Sequence, residues 1–297
     1  MRYRAHQRYY LGMVLPGMIL LLIFNILPMF GITIAFQDFA PAKGLFGSKW
    51  VGLKHFERLF MRQEVRNVLC NTVIIAAWKI VLNIGVPVAF ALLINEVKSV
   101  AYKRTLQTIV YLPHFLSWVI LGILFTNIFS YNGLFNQMLS VFGVERQMHM
   151  IQNGSFRKII VGTDVWKEFG YGAIIYLAAI TNIDPNVYEA AKIDGANRWQ
   201  SCLSITWPSI RPTVVIMLIM QCGQILNAGF DQVFNLYNDI TMPVADIFDT
   251  FIYRYAFQKG QNFSLTVAAG LFKSVCNFAL LLAANGIAKL CGEEGLL

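Results

Sequence analysis

The chain has 297 residues, of which 57% are apolar and only 13% are charged, and its net charge is +8. A soluble domain carries about a quarter charged residues, so this composition excludes an ordinary soluble protein and indicates an integral membrane protein. The positive charge suits anionic headgroups and membrane topology. Because no basic run is interleaved with aromatic residues, nothing favours a nucleic-acid partner.

Six apolar segments are each long enough to cross a bilayer, which takes about 20 residues. In chain order they are residues 11–36, 68–94, 106–130, 159–181, 213–230 and 264–290. We therefore predict an all-α, polytopic membrane protein with six transmembrane helices, built as a single domain over residues 1–297. Prolines inside the first two segments predict kinks.

The orientation of the chain follows from the distribution of its basic residues. An even number of spans places both termini on the same side of the membrane. Lysine and arginine are divided almost equally between the two sides, so their number alone does not decide. The loops on the N-terminal side are shorter, and Arg2, Arg4 and Arg8 crowd before the first span. We therefore predict that the N-terminus lies inside.

A polar stretch at residues 184–212 separates the fourth and fifth apolar segments and has the pattern of two short helices. Asp184 is a suitable N-cap, and Pro185 suits a first helical turn. Gly195 predicts the end of this helix. A second helix is predicted from about Ala196, and two prolines near the end of the stretch are expected to close it.

The same stretch carries a spaced motif in which Glu-Ala-Ala is followed by a glycine and then by an Ile-x-x-Pro group. This pattern resembles the EAA signature of the permease subunits of binding-protein-dependent ABC importers. The matching residues are Glu189, Ala190, Ala191, Gly195, Ile205 and Pro208. One departure is Trp207, where the family usually has leucine, and an apolar packing role survives that change.

The resemblance covers nearly the whole chain. The chain is similar to sugar-type permeases, and above all to those of the oligo- and polysaccharide branch. Within that branch it is similar to permeases for acidic polymers such as alginate. The resemblance is carried by the opening RYYLGMVLPGMILLLIFNILPMFGITIAFQDF and by the segments NAGFDQVFNLYN and GLFKSVCNFALLLAANGIAK. It implies a multi-pass protein of the bacterial cytoplasmic (inner) membrane. The implied partners are a second permease subunit, two ATPase subunits, a soluble sugar-binding protein and membrane lipid.

The resemblance also assigns roles within the motif, because in the family the first EAA helix is a coupling helix that docks in a cleft on the ATPase. By position, Glu189 would pair with a basic group of the ATPase, and Ala190 and Ala191 would allow close approach. Gly195 would permit the sharp turn into the second helix. The plainer alternative is an amphipathic cytoplasmic hairpin that packs beneath the bundle, and the spaced motif makes it the less favoured interpretation.

No feature of the sequence indicates chemistry within this chain. The phosphate-binding pattern G-x-x-x-x-G-K-[ST] does not occur, so we expect ATP and Mg²⁺ to bind in separate ATPase subunits. We expect this chain to hold no cofactor and not to be an enzyme. The five cysteines are widely spaced without a CxxC pair and the four histidines are scattered, which supports neither a disulfide framework nor a metal site.

Polar side chains within the apolar segments predict a substrate path. Ionisable residues inside a span are costly and therefore suggest function. Gln221, Gln224 and Asn227 recur at three-residue steps and are expected to share one helical face. The predicted path comprises Lys79, Lys273, Gln221, Gln224, Asn227 and Asp231. The lysines would suit an acidic sugar, and the alternative for each single residue is a hydrogen bond between helices of the bundle.

Two other classes of protein remain possible from the residues alone. A secondary transporter driven by an ion gradient would need paired carboxylates within the membrane or symmetric halves with broken helices. The predicted spans show no internal repeat. A membrane scaffold or sensor would use the polar stretch at residues 184–212 to bind a partner without transport.

Overall fold

The computed structural model describes residues 2–260, 262–292 and 295, and these are mostly helical, which confirms the predicted fold class. The first α-helices are α1 (Arg2–Leu21), α2 (Leu27–Met29), α3 (Gly44–Gly47), α4 (Lys54–Met61) and α5 (Gln63–Asn95). They are followed by α6 (Val100–Tyr111), α7 (Trp118–Ile128), α8 (Leu134–Val141), α9 (Asn153–Thr181), α10 (Pro185–Ile193), α11 (Arg198–Ser201) and α12 (Trp207–Cys222). The last are α13 (Phe230–Leu236), α14 (Met242–Ala245), α15 (Phe248–Tyr253) and α16 (Phe263–Leu290).

Shorter elements connect or interrupt these helices. Two-residue strands β1 (Gln37–Asp38) and β2 (Lys49–Trp50) pair antiparallel, with Gln37 opposite Trp50. Turns of 3₁₀-helix occur at Phe30–Phe36, Pro41–Lys43, Leu112–Phe115 and His149–Ile151. Turns of π-helix occur at Leu22–Ile26, Cys202–Thr206 and Arg254–Gln258.

Four helical stretches among the described residues are long and apolar enough to cross a membrane, or up to five if a bent pair counts as one span. The four are Tyr9–Phe36, Gln63–Asn95, Arg198–Cys222 and Phe263–Leu290. They correspond to the first, second, fifth and sixth predicted segments. Length and composition in the structure therefore do not confirm all six predicted spans.

The fourth predicted segment, at residues 159–181, forms most of α9 but differs from the other spans in its charge. α9 has 29 residues, or about 43 Å at 1.5 Å per residue, which is long enough to cross a bilayer. Five charged residues lie between its fifth and sixteenth positions: Arg157, Lys158, Asp164, Lys167 and Glu168. These charges make α9 less apolar than the four stretches named above, so its membrane crossing stays a prediction.

The third predicted segment, at residues 106–130, is not one straight helix. The helical stretches on either side of Leu116 and Ser117 are bent by 101°. Pro113 lies in the 3₁₀ turn that ends the first stretch, and Ser117 caps α7 by accepting a hydrogen bond from the backbone N–H of Ile120 at 3.4 Å. The segment is therefore bent rather than continuous, because the proline and the serine cap together end one helix and start another, and its membrane crossing stays a prediction.

The fifth predicted segment, at residues 213–230, is too long at its C-terminal end, because the helix stops at Cys222. The next residues form turns, in which the N–H of Asn227 donates to the carbonyl of Gln224 at 2.7 Å. Gly229 then adopts a φ of +93° immediately before α13. Gln224 and Asn227 thus lie outside the helix, and the predicted single helical face of three amides is wrong.

The two prolines expected to close the second helix of the polar stretch, Pro208 and Pro212, instead lie within a continuous helical run from Arg198 to Cys222. A π-helical turn precedes Pro208, and there the N–H of Trp207 donates to the carbonyl of Cys202, five residues back. Pro208 follows in the first turn of α12, where a missing N–H costs little. Pro212 removes one hydrogen bond without ending the helix, as membrane helices tolerate.

The chain divides into two compact units. The first comprises the described residues within Met1–Gln63 and Ile252–Ser274. Here the side chain of Ser264 joins the β1 region to the start of α16, since its hydroxyl donates to the carbonyl of Gln37 at 2.6 Å and accepts from the N–H of Phe39 at 3.0 Å. Phe36 stacks on Trp50, with ring centroids 5.6 Å apart.

The second unit comprises the described residues within Glu64–Phe251 and Val275–Leu297, and it contains two apolar clusters. One joins α5, α7, α9 and α13 through buried side chains that include Ile75, Leu121, Ile160 and Val233. The other joins α5, α9 and α12 through buried side chains that include Ala91, Tyr176 and Ile210. Along both α5 and α9, the residues between these clusters are partly polar, and they form the buried part of the candidate site.

Candidate functional site

The first helix of the polar stretch, α10, begins and ends as its residues dictate. The carboxylate of Asp184 accepts a hydrogen bond from the N–H of Asn186 at 2.9 Å, which satisfies one of the free donors of the first turn. Pro185 occupies the first turn, where its fixed φ suits a helix. Gly195 follows the helix with a φ of +84°, a conformation that favours glycine.

The second helix starts with a reciprocal pair of hydrogen bonds. The side chain of Asn197 accepts from the N–H of Gln200 at 2.9 Å, and the side chain of Gln200 accepts from the N–H of Asn197 at 2.8 Å. This capping box fixes the start of α11 two residues after Ala196, close to the predicted position. We refer to α10 and α11 together as the EAA helix pair.

The EAA helix pair presents apolar as well as charged side chains on its surface. Glu189 and Ala190 are exposed, and Ala191 is half-buried. Ile193 at 86% exposure and Trp199 at 66% exposure are among the exposed large hydrophobic residues of the described chain. An exposed helix that combines a carboxylate with apolar side chains is suited to binding in a groove of another protein.

One side-chain contact connects α10 to the helical run that follows. The hydroxyl of Tyr188 lies 2.8 Å from that of Thr206, which is buried in the π-helical turn. Ile205 is half-buried in the same turn, and Pro208 is exposed at the start of α12. The last two members of the EAA motif therefore lie not on α10 but on the run that continues to Cys222.

A polar cavity of about 120 Å³ lies between the two apolar clusters of the second unit. The predicted residues Lys79, Gln221, Gln224 and Asn227 all line it. Although Gln224 and Asn227 are not helical, the turns that follow α12 bring them to the same cavity as Gln221. The structure thus groups the three amides, by a geometry that helical spacing did not predict.

The ammonium group of Lys79 is buried and surrounded by acceptors. It lies 2.9 Å from a carboxylate oxygen of Asp164, 2.9 Å from the carbonyl of Ala228 and 2.5 Å from the side-chain oxygen of Gln232. An ammonium group has three N–H donors, so all three have partners. We call these four residues the Lys79 cluster.

Further hydrogen bonds hold the cluster in place. Asn83 donates to the second carboxylate oxygen of Asp164 at 2.8 Å. The amide of Gln232 donates to the carbonyl of Ile160 at 2.6 Å and to the hydroxyl of Thr163 at 2.8 Å. The cluster therefore connects α5, α9 and the start of α13 in a region where unpaired polar groups would be costly.

Gly229 is required by this arrangement for two reasons. Its φ of +93° is strained for other residues, and a Cβ atom there would lie only 2.7 Å from the ammonium nitrogen of Lys79. The backbone at this position therefore approaches Lys79 more closely than any side chain would allow.

The remaining predicted path residues lie elsewhere. Asp231 is exposed in the first turn of α13 and does not line the cavity. Lys273 is half-buried on α16, in the first compact unit. Sequence reasoning missed Asp164 and Gln232. The signal for Asp164 was available, because it is an ionisable residue within a predicted span, as Lys79 is.

A second polar group surrounds Lys167 of α9. Its ammonium group donates to the carbonyl of His114 and to a carboxylate oxygen of Glu168, each at 2.8 Å. The other oxygen of Glu168 lies 2.7 Å from the ring of His114, which stacks on Tyr171 with centroids 3.9 Å apart. These contacts hold the 3₁₀ turn before α7 against α9.

Comparison with known proteins identifies the class to which this architecture belongs. A family model described as the binding-protein-dependent transport system inner membrane component matches residues 82–289. The chain belongs to this family. It is a multi-pass component of the inner membrane and a transport protein rather than an enzyme.

Particular relatives are similar over nearly their full length. The polygalacturonan/rhamnogalacturonan transport system permease protein YteP of Bacillus subtilis is 43% identical over 98% of this chain and 90% of its own. Protein LplB of the same organism is 40% identical over 96% of this chain and 89% of its own.

A solved structure of a bacterial alginate ABC transporter in complex with alginate pentasaccharide-bound periplasmic protein contains a chain of the same fold. The TM-score is 0.89 and the identity 36%, and the match covers 99% of this chain and 99% of that one. A second structure, of a bacterial ABC transporter involved in the import of alginate, matches with a TM-score of 0.88 and 38% identity over 97% of this chain and 98% of that one. The predicted resemblance to ABC importer permeases is confirmed.

Proposed function

We propose that this chain is a permease subunit of an ATP-driven importer for an oligo- or polysaccharide with acidic sugar units. The observation that carries the proposal is the match over nearly the whole chain to a permease for polygalacturonan and rhamnogalacturonan and to chains of alginate transporters. Galacturonate and alginate units both bear carboxylates. The partners would be a second permease, two ATPase subunits that bind ATP and Mg²⁺, and a soluble protein that delivers the sugar.

The proposed topology has six spans with the EAA helix pair in the cytoplasm. α9 and the bent α6–α7 pair would supply the two spans that do not meet the apolar criteria on their own. The charges of α9 support this assignment, because Asp164 and Lys167 face acceptors or donors of the protein rather than lipid. Buried pairing of this kind is how membrane helices accommodate ionisable residues.

The proposed mechanism uses α10 as the part that receives force from the ATPase. Glu189 would pair with a basic group of the ATPase, and the exposed apolar side chains of α10 would fill its cleft. The Tyr188–Thr206 contact would pass a displacement of α10 to the helical run Arg198–Cys222, which is 25 residues, or about 37 Å, long. That run ends beside the polar cavity, where Gln221 is a lining residue.

The C-terminal end of the run Arg198–Cys222 supports a role for the polar cavity in alternating access, because Gln221 lines that cavity. Amides are suited to hydrogen bonds with sugar hydroxyl groups, and Gln221, Gln224 and Asn227 would supply them when the path opens. Lys79 has its charge neutralised by Asp164, so it would position the cavity wall rather than attract an acidic sugar directly. A shift of α12 would change the cavity and thereby switch the side from which sugar enters.

The experiment that tests the coupling proposal replaces Glu189 in the complete importer, reconstituted in liposomes with its binding protein. Glu189→Gln removes the charge and preserves the shape of the side chain. We expect sugar uptake to fall by at least about tenfold, because a hydrogen bond between charged groups is lost at the contact with the ATPase. Gly195→Ala should act in the same direction by straining the turn. Both variants should assemble normally.

A matched control is Glu96→Gln, which removes an exposed carboxylate just after α5 and outside the EAA helix pair. Uptake by this variant should remain close to that of the wild type. Normal uptake by a Glu189→Gln, Gly195→Ala double variant would refute the coupling role of α10. Uptake that persists without ATP and stops when an ionophore is added would refute the ATP-driven mechanism.

A further inference from the structure

A second and larger cavity is lined only by residues of α5 and α9. This α5–α9 groove has a volume of about 540 Å³ and is lined by side chains of α5 from Ile74 to Leu82 and by residues of α9 from Asn153 to Gly162. It is distinct from the polar cavity, because no residue lines both. Nothing in the coupling mechanism uses it.

The polar and apolar groups of the groove are separated along its length. The cationic side chains Arg157 and Lys158 lie near the start of α9, whereas the deeper part is lined by apolar residues that include Trp78 and Val161. A sugar site would need hydrogen-bonding groups along its length, and the deeper part of this groove has few. The arrangement instead suits a molecule with one anionic end and an apolar chain.

The cationic end has donors available. Lys158 is exposed, and no hydrogen bond or ion pair joins it to another residue in the described part of the chain. The guanidinium of Arg157 is oriented by two contacts, to the carbonyl of Val244 at 3.0 Å and to the side-chain oxygen of Asn71 at 2.5 Å. A guanidinium has five N–H donors, so this orientation leaves others for an anion.

Glycines make room for a chain along α9. Gly154, Lys158 and Gly162 follow one another at four-residue steps and therefore lie on one stripe of the helix. A Cβ atom at either glycine would meet no other atom within 4 Å. Trp78 of α5 remains 59% exposed. The groove is thus open because the side chains that would fill it are absent.

The length of the groove matches one leaflet of a membrane. Asn153 to Gly162 is nine helical steps, or about 14 Å. Half of a hydrocarbon core is about 15 Å. A lipid that lies along the whole groove would therefore span about one leaflet, and the lining residues from Trp78 to Leu82 lie near the centre of α5.

We propose that the α5–α9 groove is a binding site for an anionic phospholipid. Its phosphate lies against Lys158 and Arg157, and one acyl chain lies along Gly162 and Trp78. Bound lipid covers the apolar surface between α5 and α9. The polar cavity lies on the other face of this helix pair. The site therefore stabilises the pair of helices that carries Lys79 and Asp164.

The test uses the complete importer in detergent, titrated with phosphatidylglycerol or phosphatidylcholine that carries bromine on its acyl chains. Bromine quenches tryptophan fluorescence at short range, and the contribution of Trp78 is the difference between the wild type and Trp78→Phe. We expect quenching of Trp78 by both lipids, with half-effect at an about fivefold lower concentration of phosphatidylglycerol, as one lysine near anionic lipid provides.

Two variants and one control separate the parts of the site. Lys158→Gln should bring the two lipids to nearly the same half-effect concentration. Gly162→Leu should fill the groove and abolish quenching of Trp78 by either lipid. Gly85→Leu is the matched control, since Gly85 is an exposed glycine of α5 with nothing within 4 Å and outside the groove, and it should change neither lipid's effect.

Two results would overturn the proposal. Equal half-effect concentrations for the two lipids in the wild type would show that no anionic headgroup is recognised. Absence of Trp78 quenching by either lipid in the assembled importer would show that another subunit covers the groove. Neither readout requires transport, so the proposal stands or fails independently of the coupling role of α10.

Discussion

The EAA helix pair and the Lys79 cluster are both polar, but they are held in opposite ways. α10 and α11 are exposed and are fixed by contacts between close neighbours, such as Asp184 with Asn186. The Lys79 cluster is buried and joins residues far apart in the chain, since Lys79 and Asp164 are 85 positions apart. Changes in the helix pair should therefore affect coupling more than folding, and changes in the cluster should affect folding first.

The largest effect is expected from Asp164→Asn. This change leaves the ammonium group of Lys79 buried without a counter-charge, and breaking a buried ion pair in this way costs about 3–5 kcal/mol. The purified importer should lose thermal stability and should be recovered in lower yield. Thermal unfolding followed by the fluorescence of the assembled complex measures the change.

The control for Asp164→Asn is the double variant Lys79→Gln, Asp164→Asn. Because this variant contains neither charge, most of the lost stability should return, which separates an unpaired charge from a simple loss of packing. If the single variant were as stable as the wild type, the Lys79 cluster would not determine the packing of α5 against α9.

The next largest effect is expected from Gly229→Ala. The φ of +93° disfavours alanine, and the new Cβ atom would lie 2.7 Å from the ammonium nitrogen of Lys79. The two costs together should reduce stability by about 2–3 kcal/mol. Gly143→Ala is the control, because Gly143 has a φ of +77° but no atom within 4 Å of the added Cβ. A loss of stability as large in Gly143→Ala as in Gly229→Ala would show that backbone strain alone accounts for the effect.

The EAA helix pair could be predicted from the sequence because its determinants are local. Asp184, Pro185 and Gly195 set the limits of α10, and each acts within a few residues. The ends of α16 were also predicted to within one residue, because no proline interrupts its largely apolar sequence. Prolines were less reliable, since a π-helical turn accommodates Pro208 within the helix.

The Lys79 cluster could be predicted only in part. Lys79 could be identified because an ionisable group in a membrane is costly. Its pairing with Asp164 could not, because the pairing depends on how α5 packs against α9. A single sequence does not show which residues of two helices lie opposite each other. The amides Gln221, Gln224 and Asn227 were identified correctly as one group and placed wrongly on one helix. Their common position results from the turns after Cys222, which a three-residue spacing does not reveal.

A smaller effect is expected from loss of the cap of α10. Asp184→Ala removes the acceptor for the N–H of Asn186, at a cost of about 1 kcal/mol. Because the cap is local, hydrogen exchange should increase within α10 and remain unchanged in α5 and α9. Asp194→Ala is the control, as Asp194 follows α10 and is exposed without acting as its N-cap. Faster exchange throughout the protein would contradict the local character of the EAA helix pair.

The smallest effect on stability is expected from Tyr188→Phe, which removes only the hydroxyl group that contacts Thr206. Loss of one hydrogen bond costs about 0.5–1.5 kcal/mol, so the importer should assemble and hydrolyse ATP. If this contact passes motion from α10 to the run Arg198–Cys222, sugar transported per ATP hydrolysed should nevertheless fall. Tyr102→Phe, in an exposed tyrosine of α6, is the matched control and should leave this ratio unchanged. An unchanged ratio in Tyr188→Phe would mean that force reaches the polar cavity by the covalent chain through Gly195, and the two regions would then be coupled without the side-chain contact between them.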